Sequence, residues 1–349
     1  MQVHREINQL PSFRNAVITI GTFDGVHTGH LQIIKQLKQE SVKVNGESVI
    51  ITFHPHPRMV VGSNSSNLLP AGGKEKQSLN TINLLNTLDE KIELLEKQTI
   101  DHLVIVSFTE EFSLLTPEEY VKKFLIEKFH PHTIIIGYDH HFGKQRKGNY
   151  KLLEKYAEEF NYTVKEIPGH VIDHVAISST KIRDAILTAD IETANKFLGY
   201  EYFFEGIVIE GDKIGRRLGY PTANLEITND NKLVPGDGVY AVKVSIGNWQ
   251  LAMGNSHKLM SGAKISNLKS EIPNWDGMMS IGVRPTIGNS KRTIEVNIFD
   301  FNENIYGEKI KIMIKKYLRP EEKFESLGKL KDQLWKDKEN AIQALRIEH

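Results

Sequence analysis

Two imidazoles three positions apart, His27 and His30, close the glycine-bounded run Gly21-Thr22-Phe23-Asp24-Gly25-Val26-His27-Thr28-Gly29-His30. If a helix starts there, both rings can face one ligand, and the first-turn N–H groups, which have no partner inside the helix, attract an anion. Histidine also donates hydrogen bonds to phosphate oxygens on which charge builds up during displacement. The flanking residues supply that context, since 16–20 is apolar and strand-like while 31–37 is amphipathic. Capping or core packing is the alternative use of the pair. A zinc centre would lack a cysteine and a further close ligand at helical spacing.

Other polar clusters follow apolar runs in the same way. Phe53-His54-Pro55-His56-Pro57-Arg58 joins a rigid extended turn to an arginine suited to phosphate, or is a rigid surface turn. The run from Gly137 through Tyr138, Asp139, His140, His141, Phe142 and Gly143 to Gly148 mixes aromatics, glycines and cations, which suits a planar ring beside phosphate charge or a solvated basic loop. Ile177-Ser178-Ser179-Thr180-Lys181-Ile182-Arg183 places hydroxyls ahead of a helix and cations in its first turn, where they oppose the helix dipole unless an anion is bound. Further on, 206–224 leaves a strand through a glycine-spaced basic loop and ends in Pro221-Thr222-Ala223-Asn224. Its glycines admit phosphates, and Thr222 and Asn224 offer neutral oxygens to Mg²⁺; a long hairpin with a polar turn is the alternative. Glu295 interrupts the apolar run 293–299, either as an outward carboxylate of an alternating strand or as a base for an attacking hydroxyl.

These groups need positioning elements. At 349 residues the chain is long for one core, so two domains are expected. Apolar runs at 49–53, 103–108, 133–136 and 164–167 alternate with helical periods at 84–95, 117–129 and 150–160, which predicts an α/β domain with a doubly wound parallel sheet. Ligands bind beyond the carboxyl ends of such strands, where the Gly21 turn, His54, Gly137 and the residues after Ile167 would gather. A helical patch over 181–197 follows. Short strands are then predicted at 202–209, 239–246, 250–253, 278–283, 293–299 and 309–314, closing as a small antiparallel β-barrel. A C-terminal helix over 321–347 carries Phe324, Leu327, Leu330, Leu334 and Trp335 as its packing stripe. The boundary is placed near Gly199, dividing the chain into 1–198 and 199–349. Residues 61–80 and 254–276 read as polar surface loops or insertions.

Composition excludes several classes. Lys+Arg and Asp+Glu balance at 44 each, so no net charge points to nucleic acid or a membrane surface, and neither is expected as a partner. Without cysteine there is no disulfide framework and no thiolate nucleophile. Residues 1–6 lack the apolar core of a signal peptide, and a cytoplasmic protein is expected.

The 21–30 run resembles the HxGH signature of the nucleotidylyltransferase superfamily, and 178–183 resembles its second phosphate motif. Together with the 137–148 loop, they resemble the adenylylating module of the bifunctional riboflavin kinase/FAD synthetase family. Gly215 to Asn224, Gly238-Val239-Tyr240, Gly282 to Thr286, Glu295-Val296, Phe299-Asp300-Phe301, Tyr306-Gly307 and Leu318-Arg319-Pro320 follow in riboflavin kinase order. The resemblance implies phosphorylation of riboflavin to FMN with release of ADP, then FMN plus ATP giving FAD and pyrophosphate, with Mg²⁺ accompanying ATP. FMN and FAD are thus substrate and product rather than redox cofactors. It further implies that His27 and His30, with Gly21, Phe23, Asp24, Ser179, Thr180 and Arg183, hold ATP for adenylyl transfer, and that Asp139 and Phe142 lie near the flavin. For the kinase it implies Glu295 as base and Thr222 and Asn224 at the metal. Lys213, Gly215, Arg216 and Pro221 would lie along the nucleotide, and Arg319 and Phe324 beside riboflavin. Two rival readings are a flavin-binding regulator that has lost catalysis in one module, and adenylylation of another phosphate ester. The insertion at 254–276 could alter access to the kinase site or add an oligomer contact.

Overall fold

Runs of β-branched residues build the first half of the chain. In the computed structural model, which describes residues 1–61, 82–138, 140–167, 177–211, 214–247, 274–286 and 289–346, these runs become strands β1 (Gln2–His4), β2 (Val17–Ile20), β3 (Ser48–His54), β4 (His102–Ser107), β5 (Thr133–Gly137) and β6 (Thr163–Ile167). Every ladder is parallel, in the order β1-β4-β3-β2-β5-β6. Helices α1 (Thr28–Lys43), α2 (Leu88–Glu96) and α3 (Tyr150–Ala157), and a helix over 117–129 with a π-helical middle at Tyr120–Ile126, connect them. β2 is buried along its whole length and β3 up to Phe53, as a sheet covered on both faces requires. One face packs Ile18, Val49, Val104 and Ile134 against Tyr120, Phe124 and Phe129. α1 carries the chain from β2 to β3 on one side, and the chain returns from β4 to β5 on the other. The carboxyl ends of β2 and β5 therefore flank a topological switch point.

The predicted α/β sheet is observed, with one addition. β1, too short to show periodicity, forms an edge strand beside β4 and sets His4 Nε2 3.1 Å from His102 Nδ1.

Two compact units make up the chain, Met1–Ser179 and Thr180–His349. The packing division falls ahead of the sequence-based boundary at 198/199. Helices α4 (Ser179–Leu187) and α5 (Ile191–Leu198) hydrogen-bond into the second unit: Asn195 donates to Ile314 O at 2.9 Å and accepts from Tyr202 N at 2.7 Å.

In the second unit β7 (Phe203–Ile209), β8 (Ala223–Glu226), β9 (Gly238–Ile246), β10 (Asn274–Thr286), β11 (Asn289–Ile298) and β12 (Lys309–Arg319) close a barrel in the order β10-β11-β8-β7-β12-β9, with the short helix α6 (Ile214–Leu218) leading into β8. This is the predicted small antiparallel barrel. β8, formed by the polar end of the Pro-Thr-Ala-Asn run, carries no apolar alternation and was not predicted. Asn274–Asp276 belong to β10, paired with Lys243–Ser245, and so lie outside any insertion loop. The strand predicted at 250–253, the loop at 62–80 and most of the insertion fall outside the described residues.

The C-terminal helix, α7 (Leu327–Arg346), departs from the predicted stripe. Leu327 and Trp335 are 64% and 59% exposed, while Leu334 packs as expected beside Ala341 and Leu345, which are buried against Ala241, Met278 and Phe299, and Asp337 is buried as well. A polar residue, Asp337, occupies the buried face because an arginine comes to meet it there.

Candidate active sites

In the first unit the site starts where β2 ends. Gly21 N still donates to Ile51 O at 3.1 Å, continuing the sheet, so this glycine shapes the turn rather than offering its N–H to a phosphate. The chain then doubles back through left-handed Phe23, Gly25 and Val26, with φ of 47°, 89° and 37°. At the non-glycine positions Phe23 and Val26 this costs on the order of 1–3 kcal/mol each, and such strain persists where the surroundings over-determine it and is concentrated at functional sites. The surroundings are identifiable. Phe23 is buried with its ring 5.0 Å from the His30 ring. The buried Asp24 carboxylate accepts from Leu85 N at 3.1 Å and Asn86 N at 3.4 Å, and Ser179 Oγ donates to Asp24 O at 2.9 Å.

Gly21, Phe23 and Asp24, expected along the ATP, all brace the turn that carries the two histidines.

His27 is the N-cap of α1, its Nδ1 accepting from His30 N at 3.4 Å, and the two rings stack 3.7 Å apart at 15°. Burial pushes His27 down to about 4 against the opposing pull of Asp24. Burial, then His27 and Lys91, hold His30 well below the usual imidazole value. Both rings are therefore neutral at pH 7, and His30 Nδ1 is buried with no hydrogen-bond partner among the described residues. The sequence-predicted pair is thus brought together at a helix N-terminus in a form that can donate to phosphate oxygens.

Sequence reasoning missed Lys91. It lies on α2, whose start is fixed by a capping box between Thr87 and Glu90, and its ammonium donates to Thr22 O at 2.7 Å while only 6% exposed. The signal was present: Lys91 stands three residues after Leu88 and four before Leu95, in the apolar stripe of the helix.

The 137–148 loop is anchored by Phe142. Phe142 is 5% exposed and stacked on Tyr120 at 4.9 Å, and its backbone pairs in both directions with Gly148. A Cβ on Gly148 would lie 2.4 Å from the Phe142 ring. Phe142 is therefore a core anchor for the loop. Asp139 lies outside the described residues. Thr180, exposed, and Arg183, half-buried, are carried on α4.

In the second unit, alternation decides the site. Ile294, Val296 and Ile298 are buried in the barrel, so Glu295 and Asn297 face the other way, where α7 covers the sheet. Register places Glu295 directly across from Asn224 on β8 and from Ser280 on β10, so these three side chains share that face. Between sheet and helix is a cavity of about 280 Å³, lined among others by Gly215, Thr222, Ser280, Glu295, Arg319 and Phe324.

Thr222 Oγ1 donates to Glu295 Oε2 at 3.2 Å, and Asn297 Nδ2 holds the preceding turn through Pro221 O at 2.6 Å. Asn224 packs so tightly on Gly211 that a Cβ there would lie 2.0 Å from its amide nitrogen. Arg319 grips Asp337 with both carboxylate oxygens, at 2.8 and 2.7 Å, and its guanidinium carbon lies 5.7 Å from the Phe324 ring centre.

Gly215, Thr222, Glu295, Arg319 and Phe324 thus share one cavity wall, whereas exposed Arg216 and Pro221 are not among its lining residues. Lys213 lies outside the described residues. Sequence reasoning missed Ser280, which hydrogen-bonds Glu321, and Asp337, the partner that orients Arg319.

Comparison with known proteins matches both units. Residues 10–181 match the FAD synthetase family and 198–345 the riboflavin kinase family. Proteins named bifunctional riboflavin kinase/FMN adenylyltransferase from Buchnera aphidicola and Listeria monocytogenes are each 36% identical. The first match covers 97% of this chain and 96% of that protein, the second 93% and 91%. The Bacillus subtilis protein of the same name is 34% identical, covering 94% of this chain and 92% of its own. A crystal structure described as a macrolide-efflux protein from Streptococcus pneumoniae superposes with a TM-score of 0.76 at 27% identity, covering 97% of this chain and 98% of that one. Among the described residues no helix is long and apolar enough to cross a membrane.

Proposed function

The chain belongs to the bifunctional riboflavin kinase/FMN adenylyltransferase family, and from that premise we propose how its residues divide the work. It phosphorylates riboflavin to FMN and adenylylates FMN to FAD, using ATP in both steps. We assign adenylyl transfer to 1–198 and phosphorylation to 199–349. The observation that carries this division is that the His27–His30 pair and the Thr222–Glu295 pair belong to different compact units.

In the kinase step the 5′-hydroxyl of riboflavin attacks the γ-phosphorus of ATP, its proton passes to Glu295, and ADP leaves. Thr222 orients the carboxylate. The Thr222 hydroxyl and the Asn224 amide are neutral oxygen donors of the kind a hard Mg²⁺ ion accepts, and both sit beside Glu295. Bound there, Mg²⁺ would neutralise charge on the transferred phosphoryl group. Arg319, held by Asp337, and Phe324 border riboflavin; Lys213 and Arg216 are assigned to the nucleotide phosphates.

Adenylyl transfer needs no protein nucleophile. An oxygen of the FMN phosphate attacks the α-phosphorus of ATP, the bond to the β-phosphate breaks, and pyrophosphate leaves. Catalysis is then positioning and charge stabilisation: His27 and His30 donate N–H groups, Ser179, Thr180 and Arg183 hold the phosphates, and Asp139 is assigned to the flavin.

Chromatography of flavins after incubation with MgATP tests the assignment. Glu295→Ala is expected to stop FMN formation while FAD still forms from supplied FMN, and His30→Ala to do the reverse. Unchanged product ratios in both variants would refute it.

A further inference from the structure

Lys91 is a buried cation placed beneath the adenylyl-transfer turn. Its Nζ reaches Thr22 O at 2.7 Å, an oxygen that also accepts from the Thr52 hydroxyl at 3.1 Å, so the helix holds the residue that leads into the left-handed turn. The same segment grips that turn again through Asp24, whose carboxylate accepts from Leu85 and Asn86. A lysine rarely stays buried without a purpose, because desolvating an ammonium is costly and a hydrophobic residue would fill the helix stripe at no such penalty. One carbonyl and one nearby carboxylate, Asp24, stabilise it here.

We propose that Lys91 is a positioning residue for adenylyl transfer, whose ammonium anchors the Thr22 carbonyl and thereby sets where the turn and the two imidazoles stand. The proposal rests on the reading of His27 and His30 given above. Burial pushes Lys91 down to about 8, with Asp24 opposing, so it is still mostly protonated at pH 7. Its charge in turn opposes protonation of His30 on α1 and of His54 at the end of β3. Asp24, His30 and His54 are thus the titratable groups coupled to it, from the turn, from α1 and from β3. A fixed cation at this point opposes protonation of His30, adding to the larger effects of burial and of His27.

The test measures FAD formation from FMN against pH in the full-length protein, using Lys91→Met, Lys91→Gln, Lys91→Arg and, as reference, His30→Ala. Removing the cation lets His30 take a proton at higher pH, so the acid limb of kcat/KM is expected to move upward in the Met and Gln variants and to stay in place in Arg. The Met variant, which leaves Thr22 O only the Thr52 hydroxyl at 3.1 Å, is expected to lose about tenfold or more in kcat. The Gln variant, which keeps a donor, should lose less. Riboflavin phosphorylation by the same preparations should be unchanged. If Lys91→Met fails to fold, the Gln variant decides alone. A folded Gln variant whose acid limb coincides with that of the unmodified protein overturns the proposal, as does activity loss in Met without any limb shift and without rescue by Arg. Should His30→Ala leave FAD formation untouched, the reading of the histidine pair has itself failed and the proposal falls with it.

Discussion

Arg319, at the end of β12, and Asp337, on α7, form a bidentate ion pair at 2.8 and 2.7 Å in which the carboxylate is 1% exposed and takes a third hydrogen bond from Gln333 at 2.9 Å. The pair ties the barrel to the helix that roofs the kinase cavity. Removing one partner strands the other without compensation, so Asp337→Leu or Arg319→Met alone should destabilise the second unit, the former by about 3–5 kcal/mol. The double replacement Arg319→Met with Asp337→Leu should recover most of that loss. Urea unfolding of the four members of this cycle measures the coupling; additive losses would show that the two groups act separately.

The stacked histidines make the first unit sensitive to acid. His27 titrates near 4 in the folded chain, and the ordinary imidazole value is about 6.5, so below that value the unfolded chain binds protons that the native chain does not. Stability is therefore whole above about pH 6.5 and falls as pH drops toward 4, by about 3 kcal/mol at pH 4 for His27 alone. His30 and buried His140, the latter also pushed down to about 4 by burial, act in the same direction. Denaturant midpoints from pH 7 to 4 check this. His27→Phe should flatten the slope, and a slope that stays unchanged would contradict the buried, neutral assignment.

Phe142 distinguishes a core anchor from a flavin contact. Its ring stacks on Tyr120 beneath the 137–148 loop, so Phe142→Leu should cost about 1 kcal/mol of stability through imperfect repacking while leaving KM for FMN unchanged. A raised KM at unchanged stability would return the ring to the flavin site. Steady-state kinetics with a thermal melt decides between them.

Much of this architecture was legible in the residues. The β-branched runs ending at Ile20, Phe53 and Ile136 could only be buried strands, and the Gly21 turn before an amphipathic run marked a helix N-terminus. Alternation also showed that Glu295 points away from its apolar neighbours. What alternation could not show is that α7 covers that face, because the contact depends on a C-terminal segment remote in sequence. The same limit explains Leu327 and Trp335, whose hydrophobicity suggested packing although the register of α7 turns them to solvent, and Asp337, whose charge suggested solvent although Arg319 waits for it. Asn195 tying α5 to β12, and Lys91 inside an apolar stripe, are polar groups whose burial depends on partners that no local pattern reveals.

Mixing the two defective proteins puts the central claim to its most direct test. Glu295→Ala and His30→Ala, purified separately and combined with riboflavin and MgATP, should together yield FAD, since FMN released by one chain can be adenylylated by the other. Each alone should stop at riboflavin or at FMN. A mixture that forms no FAD while each protein remains folded, or either variant completing both steps unaided, would contradict two separate active sites.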